Sequence, residues 1–172
     1  YTIPDAMREV ALDSQILTLL GLHDRVNPVT EDKARETWRQ FVGKLTGTRR
    51  YKIRLGLTGK YAALRDAYAS IDKTLEHCSS HLNVELDVQW IDTTQLSPTE
   101  IPSTLTNLDA VIVPGGFGVR GTESKIACIR YCREQMVPYL GICLGFQMAV
   151  IEYARNVCKL PKAGSSEFDC HT

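Results

Sequence analysis

No stretch of the 172 residues comes near the run of about 18 apolar residues that a membrane-spanning helix needs, so no membrane role is expected. The opening Tyr1–Val10 (YTIPDAMREV) has neither the basic start nor the apolar middle of a secretory signal. No C-x-x-C pair occurs, which removes the usual grip of a structural zinc site, and no metal site is expected. An excess of charge of either sign is missing as well. Twenty Lys+Arg stand against 20 Asp+Glu, which argues against nucleic acid or an anionic membrane surface as the main partner. Repeats and low-complexity tracts are absent. The six cysteines (Cys78, Cys128, Cys132, Cys143, Cys158 and Cys170) are scattered through apolar and helical patterns and form no visible disulfide framework. They read as reduced thiols of an intracellular, cytoplasmic protein.

What the chain does have is core material. Its apolar fraction of 44% and its length suit one domain with an extension. Residues 1–50 carry only helical signals. Ile16, Leu17, Leu19, Leu20 and Leu22 form an apolar cluster, and Pro28 then breaks the chain. Thr30 is a plausible helix cap, followed by Ala34, Trp38, Phe41, Val42 and Leu45 at helical spacing. This segment reads as a helical linker or extension, and residues 51–172 as the main domain.

From residue 51 the pattern alternates. Ile53, Leu55 and Leu57 suggest a first strand. Leu64, Tyr68, Ile71, Leu75 and Cys78 form a helical stripe, and Val84–Ile91 suggests a second strand. A polar stretch, Asp92–Asn107, has room for a short helix. Asp109–Val113 reads as a fully buried strand. Thr122 is placed to cap a helix carrying Ile126, Ile129, Cys132 and Met136. Val137–Ile142 is a fourth strand, followed at helical spacing by Leu144, Met148, Ile151 and Ala154. This order calls for an α/β fold, an open and mostly parallel sheet with helices on both faces. In such sheets the chemistry collects at the carboxyl ends of the strands.

Two strand ends stand out. At Gly141-Ile142-Cys143-Leu144-Gly145 the apolar period changes from strand to helix at the cysteine, as in a nucleophile elbow. A positive-φ backbone is expected at Cys143, and the start of a helix favours its thiolate. The bland alternative is a buried structural cysteine. The other end is Pro114-Gly115-Gly116-Phe117-Gly118-Val119-Arg120-Gly121. It reads as a phosphate loop, as an oxyanion hole serving Cys143, or as a plain flexible loop. It matches neither common phosphate-loop spacing. Together the two strand ends favour acyl transfer.

With these residues in hand, Gly141–Gln147 (GICLGFQ) resembles the nucleophile motif of class I glutamine amidotransferases. Within that class, Pro114–Gly121, Gly59–Ser70, Ile151–Asn156 and Ser165–Phe168 resemble the CTP synthase family, over about residues 51–169. Tyr1–Leu22 resembles that family's interdomain linker. The resemblance implies a flavodoxin-like sheet and hydrolysis of L-glutamine, with ammonia passed to a synthetase domain for ATP-dependent amination of UTP. It implies no cofactor in this domain, but ATP, Mg and a GTP effector for the complete enzyme, together with a homo-oligomer, a tetramer. By position, Cys143 would attack the glutamine amide, and the N–H groups of Gly116 and Leu144 would hold the oxyanion. Phe117, Gln147 and Glu167 would contact glutamine, and Lys60 and Tyr61 would face the synthetase domain. Phe146 stands where the family usually has methionine. The family's base, a histidine followed two positions later by glutamate, has no match at His23, His77, His81 or His171, so the amidotransferase domain reads as incomplete. His77 and His81, four apart, read as a solvated helix end rather than a metal pair. Two alternatives remain: a stand-alone cysteine hydrolase of deglycase type, which the acid-free strand Ile53–Leu57 disfavours, and an inactive fragment that acts only in assembly.

Overall fold

The computed structural model describes residues 1–60 and 65–168. Tyr61, Leu64, Cys170 and His171 lie outside the described residues. Two compact units are present: residues 1–50 with 76–84, and residues 51–75 with 85–172.

The first unit is helical: α1 (Ile3–Glu9), α2 (Leu12–Leu19), α3 (Pro28–Thr46) and the end of α4 (Ala69–Leu82). None of the residues of α1 to α3 is fully buried. The unit is held instead by rings and ion pairs. Tyr1 packs on Trp38 and Phe41 at centroid distances of 5.9 and 5.8 Å, and Trp38 Nε1 donates to the Tyr1 carbonyl. Arg35 bridges Asp13 at 2.6 Å and also pairs with Glu31. The apolar cluster of residues 16–22 builds no core, since Leu19 and Leu20 are exposed. Pro28 does not break the chain but opens α3, at the one helical position where a missing N–H costs nothing. The cap is therefore Asn27 and not Thr30: its Oδ1 accepts the N–H groups of Val29 and Thr30.

The second unit is an α/β domain. Its strands are β1 (Tyr51–Gly59), β2 (Val84–Asp92), β3 (Ala110–Val113) and β4 (Tyr139–Gly141), in the order β2-β1-β3-β4. β1 pairs β3 in parallel, Leu57 opposite Ile112, and β3 pairs β4 in parallel, Val113 opposite Gly141. The chain winds outward from β1 to β2, then crosses to β3 on the other side. The carboxyl ends of β1 and β3 thus flank the switch point where such sheets place their sites. β3 is one of the two inner strands and is buried throughout Val111, Ile112 and Val113, as an unbroken apolar run should be. Around it gather Ile101 and Leu105 of α5 (Ile101–Leu105), Ile126, Ile129 and Cys132 of α6 (Thr122–Glu134), and Leu144, Met148 and Ile151 of α7 (Leu144–Asn156).

Three further boundaries differ from the sequence reading. Gly121, at φ 77°, caps α6, because a β-carbon there would lie 2.9 Å from Thr93 Oγ1. Thr122 is the first helical residue instead, and its hydroxyl donates to the Val119 carbonyl. Met136 is exposed and lies beyond the end of α6. Its φ of 58° lets the Val137 N–H return to the Cys132 carbonyl and turn the chain into β4. The stripe drawn from Leu64 to Cys78 is interrupted: a 3-10 turn at Arg65–Tyr68 precedes α4, and Cys78 is exposed.

One ion pair, buried on its carboxylate side, ties α6 to α7. Glu152 is 1% exposed and accepts Arg133 through both carboxylate oxygens, at 2.8–3.2 Å, with Asn156 Nδ2 as a third donor. Arg133→Ala leaves that carboxylate buried without its cation and is expected to cost about 3 kcal/mol or more. Arg133→Ala/Glu152→Leu should recover most of the loss. Urea unfolding of the two variants measures this, and equal stabilities would deny the pair its place between the helices.

Candidate functional site

The sharpest local feature is the turn between β4 and α7. Ile142 N–H donates to the Val113 carbonyl at 2.9 Å, so the chain is still attached to β3 one residue before the turn. Two residues after it, a β-carbon on Gly145 would run into that same Val113 carbonyl, and one on Gly141 would lie 2.7 Å from Phe146 N. Only glycine fits at either position. Between them Cys143 adopts φ 53° and ψ −110°, the positive φ expected of an elbow. A non-glycine residue there is strained by roughly 1–3 kcal/mol. The Tyr139 hydroxyl closes the turn by donating to the Gly145 carbonyl at 2.5 Å. Burial, with a smaller contribution from Cys132, holds the Tyr139 phenol above its ordinary range and keeps it a donor.

Cys143 is exposed, which excludes the buried structural alternative. It directly precedes α7, so the Leu144 N–H belongs to the first turn, where amides have no intrahelical acceptor. The glycine-rich loop stands against it. A β-carbon on Gly115 would lie 3.4 Å from Cys143 Cβ and 3.8 Å from its Sγ. One on Gly116 would lie 3.6 Å from Leu144 Cδ2. The loop is thus in contact with the elbow, as a partner in acyl chemistry needs to be.

The other candidate residues divide. Gln147 is exposed one turn along α7, its N–H donating to the Cys143 carbonyl. Phe117 is 79% exposed at the loop tip. The Glu167 carboxylate accepts the Gly118 N–H at 3.4 Å, so the far end of the chain reaches the loop. Its segment is tied down by Phe168, which packs on the core, and by Arg155. The latter donates to the Ala163 carbonyl and pairs with Glu123 at 3.0 Å. Lys60 donates to the Phe117 carbonyl. Tyr61 lies outside the described residues, as does His171, while His23, His77 and His81 belong to the other unit. Sequence reasoning passed over Lys125 and Tyr139. Lys125 is fully buried beside Gly116, and a lysine in a helix pattern gives no sign of that.

The family model for class-I glutamine amidotransferases matches residues 63–169. The chain belongs to that family. Among curated relatives it is 40% identical to a CTP synthase of Thermosynechococcus vestitus and 45% identical to one of Natronomonas pharaonis, all of this chain being covered in both cases. It is 41% identical to a CTP synthase of Carboxydothermus hydrogenoformans over 98% of this chain. The chain spans 30% of the length of each of these relatives. Among solved structures, the glutaminase domain of Trypanosoma brucei CTPS with bound acivicin superposes with a TM-score of 0.65 at 38% identity. The match covers 69% of this chain and 46% of that one. The α/β fold read from the sequence is thus the fold of the amidotransferase family. No helix of the described residues is long and apolar enough to cross a membrane, and among them no cluster of His, Cys, Asp and Glu side chains is arranged to hold a metal ion.

Burial separates the thiols. It pushes Cys128 up to about 12 and Cys132 up to about 11, while Cys143, Cys78 and Cys158 are exposed. At pH 7 a thiol at about 12 is ionised in roughly one molecule in 10⁵. Iodoacetamide is therefore expected to label Cys78, Cys143 and Cys158, the exposed cysteines among the described residues, and to spare Cys128 and Cys132 until denaturant is added. Peptide mapping by mass spectrometry reads this, and early labelling of Cys128 would contradict the buried α6.

Proposed function

We propose that this chain is the glutaminase part of a CTP synthase, and that Cys143 hydrolyses L-glutamine through a thioester. The observation that carries the reading is the exposed, positive-φ Cys143 in contact with the Gly115–Gly116 loop. The Cys143 thiolate attacks the side-chain amide carbon, and the oxygen takes the negative charge. The N–H groups of Gly116 and Leu144 hold that oxyanion, the step where preorganised donors contribute most. The tetrahedral species collapses, the C–N bond breaks and the nitrogen leaves as ammonia with a proton from a general acid. Water then attacks the γ-glutamyl thioester, releasing glutamate and the thiol. Glu167 faces the α-amino group, while Phe117 and Gln147 line the bound amino acid.

In the complete enzyme the ammonia reaches a synthetase domain that aminates UTP. ATP and Mg belong to that domain, GTP is the effector, and the assembly is a tetramer. No carboxylate cluster among the described residues would hold Mg, and no step above uses these groups. The general base is a histidine followed two positions later by glutamate, a pair that residues 1–172 do not contain.

Residues 1–172 alone are therefore expected to show no steady glutamine turnover, because acid–base assistance of this kind contributes about 10²–10⁴-fold. Adding a segment that bears the His-x-Glu pair should restore turnover, and Cys143→Ser should abolish it again. A coupled glutamate assay decides. Full turnover by residues 1–172 would refute the assignment of the base, and turnover by Cys143→Ser would refute the nucleophile.

Glu167→Ala in the complete enzyme is expected to remove a charge-assisted contact of roughly 1.5–3 kcal/mol. That corresponds to about 10–150-fold in the KM for glutamine. Activity with added ammonia should stay unchanged, whereas an equal loss with both nitrogen donors would place Glu167 outside the glutamine site.

A further inference from the structure

Lys125 is the most unusual side chain in the domain. It lies in the first turn of α6 and is 0% exposed. Its Nζ finds no hydrogen-bond partner among the described residues. A buried amine with nothing to bond to is costly, and lysine is almost never fully buried unless paired. Burial, and after it the nearby Lys60 ammonium, hold the amine below the usual lysine range. Neither the fold nor the cysteine chemistry above uses it.

Its position is specific. A β-carbon on Gly116 would lie 3.9 Å from Lys125 Nζ and 3.7 Å from Lys60 Cε, whereas one on Gly115 would lie 3.4 Å from Cys143 Cβ. The Gly115–Gly116 segment thus lies against Cys143 and Leu144 of the elbow, with Lys60 and Lys125 also in reach of Gly116. One lysine already reads the loop, since Lys60 donates to the Phe117 carbonyl. Lys125 is the other, and its donors are unmet. A trans peptide holds its C=O and N–H on opposite edges of one plane. A Gly115 carbonyl turned to Lys125 therefore carries the Gly116 N–H to the cysteine side. Glycine on both sides of that bond lets the unit rotate at low steric cost.

We propose that Lys125 is a positioning residue: its buried amine captures the Gly115 carbonyl and so holds the Gly116 N–H toward the carbonyl oxygen of an acyl group on Cys143. The proposal rests on the glutaminase reading, and it specifies which side chain sets the oxyanion donor. In this role Lys125 acts through the loop peptide and not on the substrate itself.

The test uses residues 1–172 and two reagents for Cys143. A chloromethyl ketone of L-glutamine presents a carbonyl oxygen that must be held during attack, whereas iodoacetamide reacts by direct displacement and needs no such donor. Lys125→Met is expected to slow the ketone by about tenfold or more, in line with the loss of an oxyanion donor. It should leave iodoacetamide within about twofold. Lys125→Gln, which keeps an N–H donor, should recover part of the ketone rate. Parallel losses with both reagents, or no loss with either, would overturn the proposal. The unsubstituted chain supplies a second measurement independent of any variant. The Lys125 Nζ and Gly116 amide resonances should both shift when the ketone reacts and stay in place after iodoacetamide; unchanged resonances after ketone labelling would also overturn it. If the D-glutamine ketone labels the unsubstituted chain as fast as the L form, the glutaminase reading fails instead.

Discussion

The structure depends on how closely the start of α7 approaches the end of β3. The Val113 carbonyl accepts the Ile142 N–H on one side and is grazed by Gly145 on the other, so three residues must reverse the chain within that space. Cys143 takes the backbone strain. Leu144, Met148 and Ile151 offset it, since each is buried, and a buried side chain of this size contributes roughly 1.5–3 kcal/mol. The strained residue is thereby held at the surface, at the carboxyl edge of the sheet, beside the Gly115–Gly116 loop. The clamp from Tyr139 to Gly145 and the Arg133–Glu152 pair both serve the same junction, one at the turn and the other along the helices that support it.

Among the described residues, the two buried charged side chains of this domain are handled in opposite ways. Glu152 is surrounded by donors from Arg133 and Asn156, so its desolvation is compensated and it works as a fastener. Lys125 has no such compensation among the described residues and sits beside Gly116 of the loop. A paired charge resists movement. An unpaired one is a reservoir of free energy that any rearrangement bringing an acceptor can draw on.

The residues of the candidate site were legible in the sequence wherever a pattern changes. The strand period ends and the helical period begins at Cys143, and the glycines at 115, 116, 118 and 121 follow directly on an unbroken apolar strand. Both signals are local, and both mark places where the backbone does something side chains do not permit. Helix caps were less legible because two residues compete for each one. Thr30 and Thr122 have good capping chemistry. Yet Pro28 set the start of α3 one residue after Asn27, and the close approach of Gly121 to Thr93 set the start of α6. Met136 looked like a core residue by spacing and lies outside because the helix ends before it.

The sequence by itself determined the order of strands and helices and the positions of the cysteine turn and of the glycine-rich loop, since each is written in consecutive residues. Only the tertiary structure decided that Gly115 faces Cys143 while Gly116 faces Leu144, Lys60 and Lys125, that Glu167 reaches the Gly118 amide from 49 residues away, and that Lys125 is buried. The reason is physical. Periodicity reports which way a side chain points within its own element, whereas burial and partners depend on which other element arrives there, and no local pattern carries that information.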